Sequence, residues 1–465
     1  MAEPCVAQRP AERVPREVLP VFDRRRCGVL LHLSSLDAPL GRGGRAFIDW
    51  LASGGFSVWQ VLPLGPTGPS GSPYWVRSDF AGNTAFIDAD ERPRTDGDDY
   101  RAFLDASRFW LEDYALFEVL GALHGGQPWW QWRAEFRDRD PAALARLRSE
   151  HAQALARAQA EQFVFTWQWQ RLRAYAHERG VRLFGDVPFY VAPDSAEVWT
   201  HRDQFQLDPA GLPRAVAGVP PDYFSELGQL WGNPLYEWAR MRRDGFVFWR
   251  ARVRSQLERV DLLRIDHFRA LAAHWAVPAG APDARGGAWR RTPGRALLKA
   301  LQEEFVALPL VAEDLGLITP DVEGLRRRFR LPGMRVLQFG FDGNPQNPHL
   351  PHMLRHNSVC YTGTHDNDTT SGWFAGLDQE TQRRVESYLG TDAQEMPLAL
   401  VRAACASVAT LAIVPLQDLL GLGSEGRLNT PGTTQGNWGW KVAPHELGHE
   451  LAQRCAAMNQ LYGRA

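Results

Sequence analysis

Eight short apolar or alternating segments recur along the chain, separated by longer stretches with helical spacing. They are Val29–Ser34, Val58–Leu64, Arg182–Phe189, Asp261–Phe268, Pro309–Gly316, Met334–Phe341, Ser358–Asp366 and Leu411–Leu416. Strands that alternate with helices form a parallel sheet, because parallel neighbours need a crossover. Periodicity alone leaves a doubly wound open sheet possible. The count of eight, and the polar residues at the segment ends, favour a (β/α)8 barrel, whose strand C-termini carry the functional groups.

Two of the spacings are far longer than a crossover requires. The first insert, about residues 65–180, carries helix-like runs at Tyr100–Leu123 and Pro141–Ala176. The second run is rich in Ala, Arg, Glu and Gln, whose charges make a solvated face. The second insert, about 190–260, includes Val216–Trp238, full of Gly, Pro and aromatics, which reads as a long ordered loop. Residues 1–26 read as an N-terminal extension and 27–465 as the barrel with its inserts.

Composition narrows the function classes. Apolar residues make up 44% and charged residues 23%, with a formal net charge of -2. That balance suits a globular protein and gives no bulk electrostatic drive toward nucleic acid or acidic membrane. No apolar run reaches membrane-spanning length, and Glu12, Arg13 and Arg16 interrupt any signal-like pattern. The five scattered cysteines lack metal-ligand spacing and fit free thiols in a reducing compartment, so a cytoplasmic location is expected. The 18 Trp divide between core packing and flat platforms for sugar rings.

Three segments end in acids: Arg264-Ile265-Asp266-His267-Phe268, Ala312-Glu313-Asp314-Leu315-Gly316 and Thr362-Gly363-Thr364-His365-Asp366-Asn367-Asp368. Carboxylates beside buried strands are costly, so a series of them implies a polar site on a rigid sheet. Breaking a glycosidic bond needs two or three acids held together and little else. Arg264 and Asp266 share one side of a strand, which suits either an ionised nucleophile or a structural salt bridge. Glu313 and Asp314 point to opposite sides, so one reaches the barrel centre. Glu313, with its longer arm, suits a proton donor, although for a lone Glu-Asp pair a helix cap or a bridge is the more common role. His365 and Asp366 can grip sugar hydroxyls. A metal cluster there lacks a second His or Cys at ligand spacing. Asp186, in Gly185-Asp186-Val187-Pro188, adds a fourth acid with an orienting role.

Taken together these runs resemble the amylomaltases or disproportionating enzymes, the 4-α-glucanotransferases of glycoside hydrolase family 77, relatives of the α-amylases. The likeness runs from about Cys27 to Lys441. Its most specific parts are Gly65-Pro66-Thr67-Gly68, Ser72-Pro73-Tyr74, Asp186-Val187-Pro188-Phe189, the run Ala217–Ser225, Gly228–Pro234, the three acidic runs, Asn429–Thr433 and Asn437-Trp438-Gly439-Trp440. The resemblance implies Asp266 as nucleophile, Glu313 as general acid/base and Asp366 as the acid that stabilises the transition state. It implies Arg264, His365, Asp186 and Tyr74 around the sugar next to the cleaved bond. It also implies Tyr223, Phe224 and Glu226 in a loop over the acceptor side, with Gln229 and Trp231 nearby. No metal or organic cofactor is implied, and the partners are α-1,4-glucans as donor and acceptor. Two departures stand out: Trp75-Val76-Arg77 replaces the usual Gln-Ser-Phe, and Ala270–Trp275 replaces Gly-Phe-Glu-Ala-Tyr-Trp. A hydrolase of the same fold and a non-catalytic glucan-binding protein are the competing readings.

Overall fold

The computed structural model describes residues 21–221, 225–305, 307–433 and 435–465. Twelve strands occur in these residues: β1 (Arg26–Leu30), β2 (Val58–Gln60), β3 (Arg182–Val187), β4 (Ala215–Val219), β5 (Gln229–Pro234), β6 (Leu262–Ile265), β7 (Ala273–Pro278), β8 (Ala288–Arg291), β9 (Leu310–Ala312), β10 (Gly333–Val336), β11 (Ser358–Tyr361) and β12 (Leu411–Pro415). Eight of them close a parallel barrel in the order β1-β12-β11-β10-β9-β6-β3-β2, the expected (β/α)8 architecture.

Side-chain alternation along each strand builds two apolar layers. Leu30, Val58, Phe184, Leu262, Val311, Met334, Val359, Tyr361, Leu411 and Ile413 fill the barrel interior. Val29, Trp59, Leu183, Leu263, Ile265, Leu310, Cys360 and Val414 pack outward against the helices. At Gly28 a Cβ would sit 2.6 Å from the Val58 carbonyl oxygen, so β1 can approach β2 only because it lacks a side chain there. Each segment forms its strand, but the strands stop short of the expected ends. Asp266 and Glu313 lie one residue past their strands, and Asp366 five residues past.

The first insert folds around the helices Leu111–Leu123 and Ala152–Glu178, which pack on each other. A turn at His151 separates the helix Pro141–Glu150 from Ala152–Glu178. Where a long loop is expected over Val216–Trp238, the structure has the antiparallel pair β4 and β5 instead. They join β7 and β8 in a four-stranded sheet ordered β5-β4-β7-β8. The sheet thus draws half its strands from the chain after β6, where β7, the second ladder partner of β4, lies. Single-segment patterning could not reveal this, because antiparallel register is a pairwise property. Among the tryptophans, Trp59, Trp129, Trp169, Trp199 and Trp249 are fully buried packing residues.

Cys27, Cys360, Cys405 and Cys455 are free and buried. No helix among the described residues is long and apolar enough to cross a membrane.

Candidate active site

At the barrel mouth, Asp186 in β3 sits opposite Arg264 in β6 across the parallel ladder. Arg264 Nη1 donates to both Asp186 oxygens, at 2.9 and 2.7 Å, and Nη2 contacts Asp266 Oδ1 at 2.8 Å. One buried guanidinium thus spans the strand acid and the acid just past the next strand. Its own burial works against the charge, but Asp186 and Asp266 outweigh it and raise the guanidinium pKa well above its ordinary value. Burial lifts the Asp186 carboxyl above the ordinary aspartate value, and the Arg264 charge opposes part of that lift.

Tyr74 closes the same cluster from the loop after β2. Its hydroxyl donates to Asp186 Oδ2 at 2.6 Å, and its ring stacks on His365 with centroids 5.1 Å apart and planes 16° apart. Trp438 stands beside both rings, at 6.2 and 6.1 Å. Asp186, Arg264, Asp266 and Asp366 all act electrostatically on the Tyr74 hydroxyl, so carboxylates from three strand exits converge on one point.

Glu313 accepts the backbone N–H of His267 at Oε2 (2.7 Å) and that of Leu315 at Oε1 (2.8 Å). Burial, then the neighbouring charge of Asp266, pushes its pKa up to about 7. Its neighbour Asp314 turns the other way, accepting the Met334 N–H at 2.7 Å and pairing with Arg326 and Arg335 at 3.1 Å each. The two adjacent acids therefore divide into one facing the site and one fastening the wall behind it.

Asp366 rides on a loop and is half exposed. Asn429 Nδ2 donates to its Oδ1 at 2.6 Å, His365 Nε2 lies 3.4 Å away, and Arg427 Nη2 donates to its backbone carbonyl at 2.9 Å. Asn367 braces the turn before it. Its Oδ1 accepts Thr364 N and Oγ1 at 2.9 and 2.8 Å and shapes the turn.

On the opposite wall, Trp231 of β5 donates its indole N–H to Gln229 Oε1 at 3.0 Å and meets the His267 ring edge-on at 4.7 Å. Glu226 is exposed in the turn before β5 and has no hydrogen bond or ion pair among the described residues. Tyr223 and Phe224 lie outside the described residues.

The structure thus brings Tyr74, Asp186, Arg264, Asp266, Glu313, His365 and Asp366 into one cluster, with Trp231 and Gln229 flanking it through His267. Sequence reasoning gave no role to Asn429, Arg427, Trp438 or Tyr190. Asn429 and Trp438 fall in quoted motifs, which was a usable signal. Arg427 and Tyr190 carry none, since an isolated Arg or a buried Tyr has no pattern of its own. Of the departures, Arg77 does not face the cluster. It contacts Glu118 at 2.9 Å and Asp194 at 3.5 Å and lies over Phe117, so it serves packing and ion pairing inside the insert. His274 is likewise structural, with Nδ1 2.9 Å from Thr292 Oγ1. No group of three or more His, Cys, Asp or Glu among the described residues is arranged to hold a metal ion.

Comparison with known proteins gives the family. A family model described as 4-alpha-glucanotransferase, of glycoside hydrolase family 77, matches residues 31–95 and 89–446. The 4-alpha-glucanotransferase of Thermus thermophilus is 43% identical over 93% of this chain and 98% of its own length. That of Synechocystis is 42% identical over 96% and 99%. Among solved structures, the amylomaltase of Streptococcus agalactiae in complex with acarbose superposes with a TM-score of 0.90 at 32% identity, covering 95% of this chain and all of that one. The chain belongs to glycoside hydrolase family 77, the 4-alpha-glucanotransferases.

Proposed function

We propose that this chain moves segments of α-1,4-glucan from a donor maltodextrin to the 4-hydroxyl of an acceptor by double displacement, with Asp266, Glu313 and Asp366 as its catalytic residues. The observation that carries the reading is the pairing of two unlike carboxyls. Asp266 is tied to the buried Arg264 cation, while Glu313, buried beside it, keeps its proton up to about pH 7. A nucleophile and a proton donor need that difference in environment. Asp266 attacks the anomeric carbon as Glu313 protonates the departing glycosidic oxygen, which leaves a covalent glycosyl-enzyme. Glu313, now ionised, takes the proton of an incoming sugar hydroxyl, that oxygen displaces Asp266, and the configuration is retained. Asp366, His365 and Asp186 surround the sugar ring with acceptors and donors, and Tyr74 supplies an aromatic face. No step requires a metal or organic cofactor.

Transfer in place of hydrolysis requires a sugar hydroxyl to outcompete water. The loop 219–228 and the Trp231 wall would exclude water and hold acceptor sugars at high effective concentration.

Incubation of the purified protein with maltotriose, with products resolved by length and reducing ends counted, tests the reading. Glucose plus a ladder of longer maltodextrins at constant reducing-end total is the expected result. A rising reducing-end total would assign hydrolysis instead. Asp266→Asn should bind maltodextrin yet lose turnover, and retained turnover would remove Asp266 from its role.

A further inference from the structure

His267, the residue after the proposed nucleophile, has a backbone φ of 51° and ψ of 46°, the left-handed region that a side chain with a Cβ occupies at a steric cost. That turn aims the His267 N–H at Glu313 Oε2, 2.7 Å away. Among the described residues no hydrogen bond to the imidazole fixes the turn, and its buried Nε2 finds no partner among them. What holds the ring is shape. Trp231 meets it edge-on at 4.7 Å, Tyr190 lies 6.3 Å away, and those two rings contact each other at 6.1 Å. Each side of this slot is anchored. The Trp231 indole is tied to Gln229. The Tyr190 segment is fastened by Arg252, which donates to the carbonyls of Pro188 and Phe189 at 2.6 and 2.9 Å while pairing with Asp79 at 2.7 Å.

We propose that Trp231 and Tyr190 act as positioning residues: their slot locks His267 in the left-handed turn and thereby keeps its N–H on Glu313. This rests on the reading of Glu313 as the acid/base. It goes beyond that reading by giving β5, the strand that follows the acceptor loop, a mechanical connection to the proton donor. The charged and titratable groups around Glu313 among the described residues are Asp266 and Arg264 from β6 and its exit, His267 itself, and Asp314, which acts from the next position although its side chain turns away. An N–H donated to the carboxylate favours its ionised form, so loss of that donor makes Glu313 hold its proton to higher pH.

The test compares His267→Gly with His267→Ala. Both lack the imidazole, so any direct ring contact with sugar is lost equally. Glycine keeps the left-handed turn without cost, and alanine does not. His267→Gly should keep a kcat at least tenfold above that of His267→Ala, with its alkaline limb where the wild type has it. The limb of His267→Ala should move to higher pH. A purely structural role for the ring predicts the reverse order of kcat, because glycine is the more disordering substitution, and that order would overturn the proposal. So would coincident limbs in the two variants. If His267→Gly melts below the assay temperature, His267→Asn, which also tolerates this conformation, takes its place with the same expectation. Trp231→Ala should behave like His267→Ala, and adding His267→Gly to it should recover the His267→Gly rate. Failure to recover would return Trp231 to a substrate contact alone. Failure of the underlying reading is separate: it would show as Glu313→Ala retaining turnover.

Discussion

Two buried arginines at opposite ends of the barrel show what a buried cation can be used for. Arg464, the penultimate residue, is fully buried and donates to the backbone carbonyls of Cys405, Arg26, Thr410, Ser407 and Ala409, at 2.6 to 3.4 Å. It ties this segment to the start of β1 and β12, and its hydrogen-bond partners among the described residues are neutral: those carbonyls and the Ser407 hydroxyl. Arg264 is as deeply placed at the mouth, but its partners are the carboxylates Asp186 and Asp266. Neutral acceptors absorb a charge and turn it into rigidity. Ionisable acceptors share it and are left with altered proton affinity and orientation. The floor of the barrel is therefore the place to lose stability, and the mouth the place to lose chemistry.

Substitutions can break that division. Arg264→Met should reduce kcat by about a thousandfold, since it strands two acids and frees Asp266 from its ion pair with Arg264, a loss of the size seen when preorganised electrostatics are removed. A kcat within tenfold of wild type would show that the two arginines are interchangeable struts. Arg464→Met should do the converse and lower stability by roughly 3 kcal/mol, because several buried carbonyls lose a charged donor. Chemical denaturation would read that loss, and kcat per folded molecule should stay within twofold.

The pH profile sharpens the mouth further. In its proposed role Glu313 must hold its proton to serve the leaving oxygen, so kcat/KM should fall about tenfold per pH unit above about 7. The stability sign follows from the same shift. The folded chain holds this proton to higher pH than the unfolded chain, whose glutamate ionises at its ordinary lower value. The resulting stabilisation is complete below that value and is lost as pH rises through about 7. Glu313→Gln should therefore flatten the decline of Tm between pH 5 and 8, and an unchanged slope would place the shift elsewhere. Asn429→Ala should have the smallest effect, a loss of about fivefold to tenfold in kcat, because it frees Asp366 to turn without removing it. An equal loss from Asn429→Asp would mean that the site senses charge and not this hydrogen bond.

Much of the mouth was legible before any coordinates. Arg264 and Asp266 two apart in a strand-like run, and Glu313 next to Asp314, already imply which acids share a side, because strand alternation is a local property. The pairing of Asp186 with Arg264 was not legible, since it depends on which strands are neighbours in the barrel. The β4–β5 pair was missed for a related reason: its Gly- and Pro-rich run carries turn signals as strong as its strand signals, and its ladder partner β7 lies on the far side of β6 in the chain. His267 shows the same limit at one residue, because nothing local predicts a left-handed histidine that packing must enforce.

By itself, the sequence determined the eight-strand frame and the family, and it named the acids proposed for the site, because periodicity and contiguous motifs are written within short windows. Tertiary structure alone decided that Asn429 and Arg427 hold Asp366, that Asp314 and Arg77 serve the scaffold, and that two aromatics grip His267. Those outcomes depend on distances between residues remote in sequence, which are fixed only when burial and barrel closure select one arrangement of the strands.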